Sequence, residues 1–344
     1  MNLATATVNN NNKPRKTNDH APERGCWPAS PRDWVAAHSC VRLGRLDRLP
    51  MIRNSRGILL KMLSRDRTTI RFETQYGFKV DLPASYRALI TMALRGVLFH
   101  STLVEVASKA IRPGDIVIDG GSNVGFFALL AATRLQGKGC VFAFEPDPES
   151  FSLVQRNIWR NGFEDVIRAE QLALTDKAGT FDFAINSEEP MLSSLISKKI
   201  NSATNVRVGG VCLDSFLASR GLDRADIIKL DLEGAEPLAL EGARGVLPTT
   251  RMLIFEANEP QLQQLGVAPV ELVERTAAAG EFDAVCFIDE RSEKVCPWDP
   301  HDFEEALNAY KFINVVCMRS SSIETQDSPP LQSVISSSTS EESR

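Results

Sequence analysis

Ile116-Val117-Ile118-Asp119-Gly120-Gly121-Ser122-Asn123-Val124-Gly125-Phe126-Phe127 reads as a buried strand, a tight turn and the start of a helix, the build of a nucleotide-binding loop. An apolar run ends in Asp119, glycines and Asn123 follow, and a second apolar run opens with Phe126-Phe127-Ala128-Leu129-Leu130. Gly120, Gly121 and Gly125 allow the backbone to approach a ligand closely, and the Asp119 carboxylate at the strand tip can accept hydrogen bonds. The dinucleotide fingerprint G-x-G-x-x-G fails here, because Ser122 stands where its second Gly belongs. A pyrophosphate needs that Gly. A cationic ligand without phosphate instead suits an acidic strand tip.

Strand and helix patterns alternate on either side of this loop. Strands are expected at 115–119, 140–145, 167–174, 225–231, 251–257, 283–289 and 312–318, with a hairpin at 180–185 and 206–211. Helices are expected over 86–111, after Asn123, from Asp147 to Asn161, and around 234–246 and 268–280. Alternation of this kind predicts an α/β fold, a mainly parallel sheet with helices on both faces. Residues 85–319 form that domain. Residues 50–84 alternate in β fashion and read as a small lead-in, while 1–49 and the Ser-rich 320–344 have the composition of disordered tails.

In open parallel sheets ligands bind at the carboxyl ends of the strands. Four carboxylates stand there: Asp119, Glu145, Asp231 and Glu256. Glu145 closes the run Val141-Phe142-Ala143-Phe144 before Pro146, the place from which a carboxylate takes two ribose hydroxyls. Gln171-Leu172-Ala173-Leu174-Thr175-Asp176 ends the third strand in a turn, either as a plain strand end or with the backbone at Leu172-Ala173 against an adenine edge. The segment Ile228-Lys229-Leu230-Asp231-Leu232-Glu233-Gly234-Ala235-Glu236 packs three acids into one turn, costly unless a cation, a proton or a donor uses them. Glu236 suits a helix N-terminus and is read as structural. Asp231 with Glu256 or Asn258 could form an oxygen-rich Mg²⁺ site, but no ligand count supports one and no metal is assigned. His301, in Trp298-Asp299-Pro300-His301-Asp302, is read as a loop residue and a minor candidate base; His100 is read as structural.

The bulk composition excludes several classes. The 344 residues are 43% hydrophobic and 24% charged, with a net charge of −5, so nothing favours a nucleic-acid or membrane-surface partner. No apolar run reaches the roughly 20 residues that span a bilayer. The seven cysteines contain no C-x-x-C pair, and a reducing compartment without disulfides or zinc is expected. The expected location is cytoplasmic, with an organellar transit peptide as the lesser alternative.

Taken together, these motifs resemble the FkbM family of S-adenosylmethionine-dependent methyltransferases. The resemblance rests on Val117-Ile118-Asp119-Gly120-Gly121-Ser122-Asn123-Val124-Gly125, Phe144-Glu145-Pro146-Asp147-Pro148, Ala173-Leu174-Thr175-Asp176, Ser193-Ser194-Leu195, Leu213-Asp214-Ser215-Phe216, Glu256 and the 228–236 run. It covers roughly 85–318. It implies a Rossmann-like class I sheet of seven strands with the last antiparallel, S-adenosylmethionine as cofactor, and O-methylation of a sugar, glycan or other small-molecule hydroxyl. Carried over by motif, Asp119, Gly120, Gly121, Ser122, Asn123 and Gly125 hold the methionine part. Glu145 and Pro146 hold the ribose, and Leu172 and Ala173 the adenine. In-line transfer needs an acceptor for the hydroxyl proton; Asp231 is the first candidate, with Glu233 and Glu256 as alternatives. A nicotinamide-dependent oxidoreductase and a non-catalytic cofactor-binding protein are the competing readings.

Overall fold

The structure of the protein is a computed structural model that describes residues 69–83, 86, 89–90, 102–186, 192–196, 203–289 and 294–319. The expected tails, residues 50–68 of the expected lead-in, and residues 87–88 and 91–101 of the expected 86–111 helix, His100 among them, lie outside the described residues. The described chain opens with a hairpin of β1 (Thr69–Glu73) and β2 (Lys79–Pro83), then α1 (Thr102–Ala110). The quoted stretch forms β3 (Ile116–Gly120) and α2 (Phe126–Leu135), followed by β4 (Cys140–Phe144), α3 (Pro148–Asn161), β5 (Ile167–Glu170) and β6 (Leu172–Leu174). Next come β7 (Gly179–Asn186), β8 (Ala203–Val211), α4 (Leu213–Ala218), β9 (Ile227–Leu230) and α5 (Glu236–Glu241). The described chain closes with β10 (Met252–Asn258), α6 (Glu259–Leu265), α7 (Pro269–Ala279), β11 (Ala284–Asp289), β12 (Lys294–Pro297), α8 (Pro300–Tyr310) and β13 (Phe312–Met318).

The main sheet runs β12-β11-β13-β10-β9-β3-β4-β5. Strands β5, β4, β3, β9 and β10 pair in parallel, and β13 slots antiparallel between β10 and β11. This is the mainly parallel sheet that the resemblance implies, with its last strand reversed as expected. An eighth strand, β12, is added as a hairpin on β11 at the edge. All five residues of β3 are buried, which is why it reads as an unbroken apolar run rather than an alternating one.

The two faces of the sheet make two cores by period-two alternation. Val117, Val141, Ala143, Ile227 and Ile254 pack with α1, α2, α3 and the hairpin. Ile118, Phe142, Phe144, Ile228 and Phe255 pack with α4, α5, α7 and α8. Helix α3 begins where its sequence says it should: Asp147 caps it by accepting from the backbone N–H groups of Glu149 and Ser150, and Pro148 fills the first turn.

Three expectations need correction. The single strand expected over 167–174 is two, since β5 pairs with β4 while β6 leaves for a separate sheet of order β6-β8-β7. Gly209 and Gly210 on β8 permit this close pairing: a Cβ on Gly209 would meet Leu172 of β6 at 2.8 Å and one on Gly210 would meet Phe181 of β7 at 2.4 Å. His301 is not in a loop but in the first turn of α8, whose cap Asp299 accepts from the N–H groups of His301 and Asp302. Asp299-Pro300 was the same signal as Asp147-Pro148. Helices α4 and α6 were also not expected; both are under two turns long, too short for a periodicity to show.

Candidate active site

The chain builds β3, β4 and β5 in one direction across the sheet, then returns to build β9 and β10 on the other side of β3. The switch point therefore lies between β3 and β9, where a parallel sheet opens a crevice. Registers Gly120↔Phe144, Gly120↔Leu230 and Leu230↔Phe255 bring the ends of β4, β3, β9 and β10 level. Asp119, Glu145, Asp231 and Glu256 accordingly stand along one rim of the sheet. A cavity of about 470 Å³ opens there, a size suited to a small-molecule ligand.

The glycine loop shapes one wall. Gly121 has φ +72°, and a Cβ there would lie 1.9 Å from the Asp231 carbonyl oxygen, so only glycine lets β3 and β9 end side by side. The N–H groups of Gly121 and Ser122 both donate to the Phe144 carbonyl, at 3.0 and 2.9 Å. Ser122 turns its hydroxyl back onto the Asp119 carbonyl at 2.9 Å. Asn123, at φ +52°, donates its N–H to Glu145 Oε2 at 2.7 Å, and its own Oδ1 is buried without a partner. Gly121, Ser122, Asn123, Glu145, Pro146, Leu172 and Ala173 all line the cavity.

Asp119, Gly120 and Gly125 do not line it; they support the wall from behind. Asp119 is fully buried. Its Oδ2 accepts from the Ala128 N–H at 3.1 Å, inside the first turn of α2, and its Oδ1 lies 3.5 Å from Lys229 Nζ. Burial holds its pKa above the ordinary carboxylate value, against the pull of Lys229. Gly120 admits Leu174 and Leu230, each of which would meet a Cβ at 2.9 Å. Gly125, at φ +83°, starts α2.

Glu145 is 6% exposed. Its Oε1 accepts from the Asp147 N–H at 2.9 Å, so both oxygens hold backbone, and a carboxylate oxygen can accept a second hydrogen bond besides. Burial pushes its pKa up to about 8, against the two backbone donors.

The opposite wall carries the acids. Asp231 and Glu233 line the cavity, and Glu256 does not; its β13 partner Asn314 does, together with Phe312. Glu256 Oε1 accepts from Asn258 Nδ2 at 3.0 Å. Burial, then Asp231, Glu233 and Glu236, hold its pKa well above the ordinary value. Glu233 accepts from Gln261 Nε2 at 2.9 Å, and burial with Asp231 nearby pushes its pKa up to about 7. Glu236 is fully buried and closes the turn, its Oε1 accepting from the Leu232 N–H at 2.6 Å.

Lys229 is the residue that sequence reasoning passed over. Its Nζ lies 3.4 Å from Asp231 and reaches the Gly121 carbonyl at 3.1 Å, tying both walls together. Burial opposes its charge, but Asp231 and Asp119 outweigh burial and hold its pKa above the ordinary lysine value. The signal was present: a lysine between Ile228 and Leu230, in a strand buried on both faces, has no solvent to reach. The wall also takes in Leu103 and Val104 of α1.

A family model, the methyltransferase FkbM domain, matches residues 119–292, from the Asp119 strand tip to past β11. The chain belongs to the FkbM methyltransferase family. Its relatives include the 2-O-methyltransferase NoeI of Sinorhizobium fredii, 27% identical over 183 residues, covering 49% of this chain and 73% of that protein. The 31-O-demethyl-FK506 methyltransferase FkbM of Streptomyces tacrolimicus is 24% identical over 178 residues, covering 43% of this chain and 67% of that protein. The hexuronic acid methyltransferase AglP of Haloferax volcanii is 25% identical over 165 residues, covering 48% and 65%.

Within this methyltransferase the oxidoreductase alternative falls away. Among the described residues, the acidic, His or Cys donors close enough to share an ion are Asp299, His301 and Asp302, a group that includes neither Asp231 nor Glu256. His301 is exposed and lies outside the cavity lining. Among the described residues no helix is long and apolar enough to cross a membrane.

Proposed function

We propose that this methyltransferase uses S-adenosylmethionine to methylate a hydroxyl of a sugar, glycan or other small-molecule natural product. The observation that carries the reading is one cavity lined both by the glycine loop with Glu145 and by Asp231 with Glu233. The residues present fit the cofactor. Asn123, which lines the cavity, holds a buried acceptor, Oδ1, without a donor, and in the lining the acids Glu145, Asp231 and Glu233 outnumber the one lysine, Lys229, which suits a donor without phosphate. The names of relatives, a 2-O-methyltransferase, a 31-O-demethyl-FK506 methyltransferase and a hexuronic acid methyltransferase, support an oxygen acceptor.

S-adenosylmethionine supplies an electrophilic methyl group on a sulfonium, so the protein's work is placement and proton removal. Gly121 to Asn123 bring backbone against the methionine part, and Glu145 offers its free lone pairs to the ribose hydroxyls. Leu172 and Ala173 flank the base. The acceptor enters past Phe312 and Asn314. Glu233 takes the hydroxyl proton: it faces the cavity, and its pKa near 7 balances availability against basicity. Asp231 is the weaker candidate because Lys229 holds it in an ion pair. Its role is to keep Lys229 charged and the two walls together.

The test is turnover of the full chain with a panel of hexoses, uronic acids and hydroxylated macrolides. Glu233→Gln is expected to lower kcat by about 10²–10⁴-fold, the usual reach of a general base, with cofactor affinity within about twofold of the parent protein. Unchanged kcat would remove Glu233 from proton transfer. Failure to methylate any hydroxyl with cofactor bound would count against an oxygen acceptor.

A further inference from the structure

Glu233 is held in an unfavourable conformation by parts of the chain far from it in sequence. It is a non-glycine residue at φ +52°, a region that side chains avoid and that persists only where the surroundings impose it. Three constraints impose it. Its main-chain carbonyl accepts from Ser194 Oγ at 2.7 Å, and Ser194 is itself fixed by a two-way backbone bridge to Ala184. The next residue, Gly234, has φ +95° and no Cβ; one placed there would lie 2.5 Å from Gln261 Cβ and 2.8 Å from Gln261 Oε1. Through that gap Gln261 delivers its Nε2 to the Glu233 carboxylate at 2.9 Å. Gln261 in turn is set by α6, whose Leu262 is fully buried.

The amide of Gln261 is committed at a cost. Its Oε1 is buried without a donor, so a polar atom is left unsatisfied while the other end faces Glu233. Mere packing would be better served by an apolar side chain of the same length. We propose that Gln261, reaching across Gly234, and Ser194, gripping the main chain, are positioning residues that aim Glu233 into the cavity and set its affinity for the acceptor's proton. Gln261 donates to the carboxylate form and so favours it, opposing the burial that favours the acid. The proton-accepting role of Glu233 rests on the function proposed above; the control of its titration by Gln261 does not.

The experiment titrates Glu233 directly in the full chain, by NMR of ¹³C-carboxyl-labelled glutamate, with Glu233→Gln identifying its signal. Gln261→Met keeps the length and removes the donor. It is expected to raise the midpoint of Glu233, with about a tenfold higher proton affinity, the size of one hydrogen bond to a charged group. Gln261→Glu replaces the donor with a second carboxylate and is expected to raise it further. Unchanged midpoints in both variants would overturn the proposal. S-adenosylhomocysteine affinity, measured by calorimetry, is expected to stay within about twofold in Gln261→Met. Loss of binding in that variant alone would make Gln261 a general structural support and overturn its specific role. Absence of binding in the parent protein would instead sink the cofactor assignment and leave the titration result standing.

Discussion

Single carboxylates in this protein owe their chemistry to depth rather than to sequence position. Glu236 is fully buried, and desolvation pushes its pKa from 4.5 up to about 8. A raised acid keeps its proton in the folded state after the unfolded chain has lost it, so stability is full below the unfolded value and falls as pH rises through the window toward about 8. Glu236→Gln keeps the acceptor for the Leu232 N–H and removes the ionisation. Thermal denaturation of the full chain is expected to show equal melting temperatures for parent and variant near about pH 4 and a variant advantage that grows toward about pH 8. A constant gap across that range would mean that Glu236 does not titrate in the window. Sequence located this residue and assigned it a structural place, because an acid at a helix start has a known use. It ranked Asp231 first, with Glu233 and Glu256 as alternatives, and missed both the pairing of Lys229 with Asp231 and the contact that Gln261, distant in the chain, makes with Glu233.

At the scale of elements, the strands were readable and the joins were not. Buried parallel strands announce themselves as apolar runs, and Asp147-Pro148 marks α3 by its cap chemistry. The docking of the β1–β2 hairpin was invisible, because it depends on amide side chains imitating backbone. Asn157 and Asn161, one turn apart on α3, pair with the open edge of β2. Asn157 Oδ1 accepts from the Asp81 N–H at 2.8 Å, and Asn161 Oδ1 accepts from the Lys79 N–H at 2.7 Å. Asn157 Nδ2 also donates to the Val124 carbonyl at 2.8 Å, linking the hairpin to the glycine loop. Arg71, Arg156 and Arg160 close around the buried Asp81 carboxylate. Asn157→Ala strands the Asp81 N–H and the Asp81 and Val124 carbonyls, and a loss of about 2–4 kcal/mol is expected in denaturant unfolding. A loss below about 0.5 kcal/mol would show that α3 does not hold the hairpin through this amide. The described part of the expected lead-in, residues 69–83, is on this reading a support for the glycine loop.

For the molecule as a whole, the order of strand addition produces the site. Building β3, β4 and β5 to one side and β9 and β10 to the other leaves one crevice, and the register brings four acidic strand ends to its rim. That much followed from the positions of Asp119, Glu145, Asp231 and Glu256 in the sequence. The division of labour among them did not, because Asp119 lies beneath the loop and Glu256 behind the wall, a matter of depth that periodicity does not encode. The central claim is that this rim binds a phosphate-free cationic methyl donor through Glu145. The most direct measurement is calorimetric titration of S-adenosylmethionine into the full chain and into Glu145→Ala. One site per chain is expected, with affinity about 10-fold weaker in the variant, the loss of one or two hydrogen bonds from a buried carboxyl. No binding to the parent protein, or equal affinity in the two, would contradict it.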